Sequence, residues 1–203
     1  MSELYKSSIK KRFDHLLKVM ENQQFLNMQG LGNEVPFFIF PYQPQEETEI
    51  AKMCSDLQQK LSMVGVNVLT INVYDTAVGL LQKGGSWDLY LKEEPGFTKK
   101  ELLEDLQNSL SAETHMIPAI VDKVDSAGKF DILFLTGVGQ VFPFIRSHTI
   151  LNNLQSKAKD FPTVMWFPGE YKHSDDTGSS LDLFGLLHDD KYYRAFNILD
   201  YQI

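Results

Sequence analysis

Short apolar runs alternate along this chain with longer segments in which apolar residues recur at helical spacing. Five runs are too short for helices and rich in β-branched or aromatic residues: Pro36–Pro41, Val66–Tyr74, Ile132–Leu135, Thr163–Phe167 and Tyr193–Ile198. Prolines are expected only at the ends of the first run, because proline removes a donor from the ladder. Strands that are apolar on both faces are typical of a parallel sheet covered by helices. The alternation therefore predicts an α/β fold, with a mostly parallel sheet of about five strands and helices on both faces.

Amphipathic periodicity predicts helices between these strands: Ile9–Met20, Glu46–Val64, Asp75–Leu81, Thr98–Leu110 and about Pro118–Gly128. Asp75 is expected to cap the third of these helices, because its side chain can accept hydrogen bonds from the first backbone N–H groups. Thr98 and Glu101 have the spacing of a capping box at the start of the fourth helix.

The stretch from Phe130 to Lys157 is predicted to organise the candidate site. It leads from a buried strand through Gly137 and Gly139, which permit a tight turn. A helix is expected next, with Pro143 in its first turn. The N-terminus of that helix then points back at the carboxyl edge of the sheet, where open α/β sheets usually bind ligands.

Two segments after the fourth strand are predicted to lack regular structure. Pro168–Gly169 is expected to turn the chain at the same edge of the sheet. The polar segment Glu170–Ser180 is rich in Gly, Ser and Asp, so we expect an exposed loop there.

A chain of 203 residues is long enough to bury a sizeable core. We interpret residues 1–203 as a single α/β domain with a helical excursion at about 87–128. The order of its elements is Rossmann-like, or P-loop-like without a Walker A motif. The single cysteine, Cys54, cannot close an intrachain disulfide, and no apolar segment has signal-peptide or transmembrane character. These features predict a cytoplasmic protein.

The formal net charge of −8 disfavours broad binding to DNA, which needs a basic face to neutralise phosphates. A local basic patch is still open, since Lys10, Lys11 and Arg12 lie mostly off the apolar stripe of the first helix. The alternatives are therefore that this helix contacts DNA, binds a membrane surface or binds an acidic partner. A solvated helix face is the favoured interpretation.

The segment Gly137–Phe142 gives a weak signal for a nucleotide. It has neither the lysine nor the hydroxyl of a P-loop, and Phe142 takes the place of the third glycine of a dinucleotide fingerprint. Backbone N–H groups at the helix start could still accept an anion, with Arg146 about one turn inside the helix. A nucleotide- or phosphate-binding enzyme is thus an alternative, while a structural tight turn is the favoured interpretation.

No residue pattern predicts catalysis or a metal centre. The five histidines form neither a HExxH motif nor a Cys/His set. Gly-x-Ser-x-Gly is absent and Cys54 lies in a helical pattern, so no nucleophile stands out. His148 is interpreted as a histidine hydrogen-bonded at the sheet edge rather than as a general base. One further group of residues could form a metal site, but its spacing matches no known template. We interpret it as a solvated acidic loop. Its members are His173, Asp175, Asp176, His188, Asp189 and Asp190.

Several longer motifs carry a family resemblance, in order along nearly the whole chain. They are Gly30–Phe37, Leu135–Gly139, Phe142–His148, Leu151–Leu154, Phe167–Tyr171, Ser180–Gly185 and Asp190–Phe196. With these motifs the chain resembles the BrxB family, a component of bacterial BREX phage-defence systems. It departs from the family pattern at Tyr171–Gly178, a turn longer than the compact Tyr-Asp-Gly form.

The resemblance implies a small cytosolic protein needed for host DNA methylation and phage exclusion. It implies partners rather than chemistry: a PglZ-type phosphatase-like protein first, then a methyltransferase and an ATPase. No catalytic activity, cofactor or metal is carried over, so we predict a non-catalytic assembly or adaptor component. Exposed tyrosines and arginines commonly anchor interfaces. The predicted contact surface is the carboxyl edge of the sheet: Gly137, Gly139, Arg146, Ser147, His148, Asn152, Tyr171, Tyr192, Tyr193 and Arg194.

Overall fold

The computed structural model describes residues 3–29, 36–155, 157–174, 178–185, 187–188 and 195–202. The strands are β1 (Phe37–Tyr42), β2 (Val68–Asn72), β3 (Ile132–Thr136), β4 (Thr163–Ser174), β5 (Gly178–Leu183), β6 (Leu187–His188) and β7 (Phe196–Asn197). The helices are α1 (Ile9–Glu21), α2 (Gln23–Leu26), α3 (Glu47–Met63), α4 (Val73–Lys83), α5 (Ser86–Glu93), α6 (Lys99–Ser109), α7 (Ile117–Ser126) and α8 (Ser147–Leu154).

Parallel pairing dominates the sheet. Its strands follow the order β2-β3-β4-β1-β7, and each neighbouring pair along this path is parallel. The outer half of β4 pairs antiparallel with β5, which in turn pairs with β6. The predicted α/β class, with a mostly parallel sheet of about five strands, is confirmed for the described part of the chain.

Both faces of the sheet are buried, as the continuous apolar runs predict. Successive side chains of β3 point to opposite faces. Leu133 and Leu135 join one core cluster, whereas Ile132 and Phe134 join the other, and all four are 0% exposed. Each large side chain buried in this way contributes about 1.5–3 kcal/mol to stability.

The helices divide between the two faces of the sheet. Apolar residues of α1, α2 and α3 fill one cluster together with Ile198 and Leu199 near the C-terminus. Apolar residues of α4, α5, α7 and α8 fill the other cluster, and α6 packs partly buried side chains against it. The excursion at 87–128 therefore covers one face of the sheet.

Helix positions predicted from periodicity agree with the structure to within three residues. The capping box at the start of α6 is present: the Glu101 N–H donates to Thr98 Oγ1 at 3.2 Å, and the Thr98 N–H donates to Glu101 Oε2 at 2.9 Å. The hydrogen bond from the Thr98 backbone lowers the pKa of the Glu101 carboxyl.

The predicted cap of α4 is wrong by three residues. Strand β2 ends at Asn72, two residues earlier than predicted, and Asn72 rather than Asp75 caps the helix. The Asn72 Oδ1 accepts hydrogen bonds from the N–H groups of Tyr74, at 2.8 Å, and Asp75, at 3.2 Å. Asp75 instead lies in the first turn of α4, where its charge favours the positive end of the helix.

The helix after the glycine turn begins four residues later than predicted. Pro143 follows a cis peptide bond with Phe142 and lies in a turn, whereas α8 starts at Ser147. Val138, Val141 and Ile145 are buried in the intervening turns. The error arose because the prediction relied on Pro143, and proline is favoured in turns as well as in the first turn of a helix.

Strand β4 continues where a turn and an exposed loop were predicted. It passes through Pro168–Gly169 and runs to Ser174, so the prediction of an exposed loop over Glu170–Ser180 is wrong for residues 170–174 and 178–180, while 175–177 lie outside the described residues. The antiparallel pairing with β5, the next strand along the chain, supplies the hydrogen bonds of this outer half of β4. Gly169 is required here because a Cβ would collide with the carbonyl group of Asp182 on β5.

Two strand ends also differ from the prediction. Strand β1 includes Pro41 and ends at Tyr42. Proline is tolerated there because β7 pairs with β1 at Phe38 and Ile39, so one side of the strand is without a ladder neighbour at Pro41 among the described residues. The last strand is shorter than predicted, since a 3₁₀ turn begins at Ile198.

Candidate functional site

The carboxyl ends of the parallel strands lie at one edge of the sheet. Helix α4 leaves this edge directly after β2, and the loop from Gly137 to Arg146 follows β3 before α8 begins. The hairpin of β4 and β5 extends beyond the parallel region at the same edge. The predicted contact residues are distributed over this loop, the start of α8 and the hairpin.

Gly137 is held against the end of the neighbouring strand. Its φ is +74°, a conformation that favours glycine. A Cβ at this position would also collide with the side-chain amide of Asn72, the residue that caps α4. Gly137 therefore allows the loop after β3 to pack on the cap of α4.

Gly139 makes a second close approach, to the hairpin. A Cβ there would lie 2.6 Å from Cγ of Pro168 and 3.3 Å from the ring of Phe184. Phe184 in turn packs edge-on against Phe142, with 6.3 Å between ring centroids. Because the protein's own side chains lie against both glycines, the geometry favours the structural interpretation of the turn over a phosphate cradle.

The start of α8 presents two of the predicted polar residues to solvent. Arg146 is exposed at the N-cap position, and its carbonyl oxygen accepts the Thr149 N–H at 3.1 Å. Asn152 is exposed on the same helix. In contrast, Ser147 is buried and His148 is half-buried. Arg146 and Asn152 are thus the described polar members of the set that a partner can reach readily.

Tyr171 has a structural position rather than an exposed one. Its ring is buried in the hairpin, and its hydroxyl donates to the Ala195 carbonyl oxygen at 2.5 Å. This bond ties β4 to the residue that precedes β7. Buried tyrosines commonly combine apolar packing with a satisfied hydroxyl in this way.

Other predicted residues lie outside the described part of the chain. They are Tyr192, Tyr193, Arg194, Asp175, Asp176, Asp189 and Asp190. Within the described ranges, no group of three or more His, Cys, Asp or Glu residues has the arrangement of a metal site.

A network of charged residues on the hairpin escaped the sequence analysis. Lys172 Nζ donates to Asp182 Oδ2 at 2.7 Å and lies 3.0 Å from Glu170 Oε2. The bond to Asp182, followed by that to Glu170, raises the pKa of the Lys172 ammonium. Asp182 is almost completely buried, so Lys172 balances a carboxylate inside the fold. The signal was missed because Glu170 and Lys172 were assigned to an exposed loop.

Arg12 corrects the interpretation of a solvated basic face on α1. It is 0% exposed and forms a bidentate pair with the Glu46 carboxylate, with N–O distances of 2.8 and 2.5 Å. Its Nε has no hydrogen-bond partner among the described residues. Arg12 is therefore unavailable to a DNA backbone, whereas Lys10 and Lys11 remain exposed.

Tyr5 feels the charges of both groups. Burial, followed by the negative charge of Glu170 and then that of Glu46, raises the pKa of its hydroxyl. Tyr5 thus lies within electrostatic range of both the Arg12–Glu46 pair and the hairpin network. No residue pattern in the sequence predicts this proximity, because the groups come from α1, the turn before α3 and β4.

Comparison with known proteins identifies the family. The family model described as BREX protein BrxB matches residues 69–198. A BREX protein BrxB from Bacillus cereus (strain H3081.97) is 36% identical over 201 residues, covering 95% of this chain and 98% of the relative. The chain belongs to the BrxB family. This confirms the resemblance found in the motifs.

A second BrxB relative is more distant. BREX protein BrxB from Escherichia coli O9:H4 (strain HS) is 27% identical over 193 residues, covering 93% of this chain and 90% of the relative. No solved structure matches the chain. As a BrxB family member, the chain is a component of a BREX system.

The helices show no membrane-spanning character. No helix in the described ranges is both long enough and apolar enough to cross a membrane.

Proposed function

We propose that this BrxB family protein is a non-catalytic adaptor of a BREX anti-phage complex. It contributes to phage exclusion and host DNA methylation by contacting a PglZ-type protein. The observation that carries the proposal is the full-length relationship to BrxB: 36% identity over 95% of the chain. The residues of the carboxyl edge, where loops from several parallel strands meet, provide the contact surface.

Two exposed side chains on α8 are the centre of the proposed contact. Arg146 offers a planar, charged donor group, a residue type enriched among interface hot spots. Asn152 adds an amide that can both donate and accept. Tyr192, Tyr193 and Arg194 are assigned to the same surface from sequence alone and lie outside the described residues.

The scaffold under this surface favours adaptor function because it is anchored. Ile150, Leu151 and Leu154 bury one side of α8 in the core. The preceding loop is fixed by the close approaches of Gly137 and Gly139. A surface held in one conformation loses less entropy on binding, which strengthens association.

Co-expression with the PglZ-type protein from the same BREX system tests the proposal. We expect a tagged copy of this chain to retain the PglZ-type protein in a pull-down, and the double variant Arg146→Ala with Asn152→Ala to lose most of it. Truncating an interface anchor typically costs about 2 kcal/mol, or roughly a 30-fold loss of affinity. Failure of the wild-type pair to associate would overturn the proposal.

Lys129→Ala is the matched control. Lys129 is exposed and precedes β3, so it lies at the opposite edge of the sheet from the proposed surface. The substitution removes one positive charge, as Arg146→Ala does. The control should retain the partner fully. Equal losses in both variants would indicate a general charge effect and contradict docking at the carboxyl edge.

A further inference from the structure

Strand β2 lies at the edge of the sheet with one side unpaired among the described residues. Its partner is β3, in register from Val68 opposite Ile132 to Asn72 opposite Thr136. The Asn67 carbonyl accepts the Ile132 N–H at 3.3 Å, so Asn67 faces β3. Because backbone groups alternate sides along a strand, Val68 and Thr70 direct their N–H and C=O groups away from the sheet.

This edge lacks the features that usually prevent strands from pairing with other chains. Natural edge strands are protected by charged side chains, prolines or bulges. The sequence of β2, Val-Leu-Thr-Ile-Asn, contains no charge and no proline. Its five register pairs with β3 follow one another without a bulge. Thr70, at the middle of the strand, is exposed.

A shallow groove without ionisable side chains runs beside the same edge. It has a volume of about 570 Å³ and lies between the end of α3 and the start of β2. Met63 and Val64, at the end of α3, are 76% and 57% exposed. The residues that line the groove are Gln58, Gln59, Ser62, Met63, Asn67 and Val68.

We propose that β2 pairs antiparallel with β2 of a second copy of this chain, across a two-fold axis at Thr70. Thr70 then exchanges two backbone hydrogen bonds with Thr70 of the other copy, and Val68 lies opposite Asn72. The two sheets continue as one. This dimer does not rest on the proposed adaptor role, because β2 is a lateral edge rather than the carboxyl edge of the sheet.

Symmetry favours a second copy as the occupant, and charge favours β2 as the place where two copies meet. Each chain carries a formal charge of −8, so two copies repel each other over most approach directions. At β2 they meet through a strand and a groove lining that carry no charge. An antiparallel pair of identical strands is self-complementary, as two-fold dimers require.

The mass of the full chain in solution tests the dimer. We expect light scattering during size-exclusion chromatography at about 100 µM, above the range of micromolar dissociation constants, to give twice the 23.2 kDa of one chain. Thr70→Lys places two ammonium groups opposite each other and should raise the dimer dissociation constant at least tenfold, measured as a shift of the monomer–dimer midpoint in a dilution series of the same experiment. A wild-type monomer at this concentration would overturn the inference. It would do so even if a different protein were found to pair with β2.

Two controls separate loss of the dimer from loss of the fold. Thr48→Lys adds the same charge at an exposed position in the first turn of α3 and should remain dimeric. Thr70→Pro removes an outward N–H, which edge strands tolerate, and the exposed side-chain hydrogen bond from Gln58 to Thr70 Oγ1, so it should be a folded monomer. A dimer that persists in both Thr70 variants contradicts the proposal.

Hydrogen exchange provides a readout that needs no variant. In the wild-type dimer the amides of Val68 and Thr70 are protected, and their exchange should accelerate when the protein is diluted. Exchange of these two amides that is fast at every concentration would contradict the pairing, whatever the variants do.

Discussion

The guanidinium group of Arg12 forms two hydrogen bonds with the carboxylate of Glu46, 34 residues away, and no part of Arg12 reaches solvent. This pair fastens α1 to the turn that precedes α3. Glu46 Oε2 also accepts the Gln43 N–H at 3.2 Å, so the carboxylate is fixed from both sides. Removing one member of a buried pair is costly, since the other charge is then uncompensated.

Glu46→Gln should therefore destabilise the fold. We expect the free energy of unfolding to fall by about 2–3 kcal/mol, somewhat below the range for fully buried pairs because the Glu46 side chain is 23% exposed. Urea denaturation measures the change. Glu49→Gln, an exposed position in the first turn of α3, is the control and should alter stability by less than about 0.5 kcal/mol. Equal stability of both variants would show that the pair contributes nothing.

Gly137→Ala should be more damaging than Gly65→Ala. Both glycines have positive φ, at +74° and +84°, so each alanine suffers a similar backbone strain of about 1–2 kcal/mol. A Cβ at 137 also collides with Asn72, whereas the space around a Cβ at 65 is open. We expect an additional loss of about 1–2 kcal/mol for Gly137→Ala, from the typical cost of overpacking. Matching losses in thermal or urea unfolding would refute the close approach.

Stability should decrease in alkaline solution because buried acids resist ionisation. Burial raises the pKa of the Cys54 thiol from 9.0 to about 12. Burial, with a hydrogen bond to Glu47, also raises the pKa of the Tyr42 hydroxyl. Both folded-state pKa values lie above the unfolded ones, so their contribution is complete below about pH 9 and is lost as pH rises toward 12.

Urea titrations between pH 8 and about pH 11 measure this loss of unfolding free energy. Cys54→Ser removes the thiol and should flatten the pH dependence between these limits. The native thiol should also resist alkylation at pH 8 and react on unfolding, because the thiolate is the reactive form. Rapid alkylation of the folded protein would contradict the burial of Cys54.

The parts of the fold that were predicted correctly are those specified by nearby residues. Strand β3 is identifiable because Ile132 to Leu135 are apolar on both faces, and α6 because Thr98 and Glu101 form a local capping box. Each signal depends on a few consecutive residues. The class of fold follows from the alternation of such segments.

The errors concern features that depend on how one segment pairs or packs with another. Residues 170–174 and 178–180 have the composition of a loop, yet they are strand because β5 pairs with β4. Arg12 lies on the polar side of α1, and only the packing of the segment around Glu46 encloses it. For the candidate site, Arg146 and Asn152 are exposed, whereas sequence did not reveal that Ser147 and Tyr171 are buried.

The affinity of this chain for its PglZ-type protein, measured for purified wild-type, Arg146→Ala and Lys129→Ala forms, tests the central claim most directly. We predict that Arg146→Ala weakens binding at least tenfold, about 1.4 kcal/mol, while Lys129→Ala binds like the wild type. Unchanged affinity of Arg146→Ala, or no measurable binding by the wild-type chain, would contradict an adaptor that docks through the carboxyl edge of its sheet.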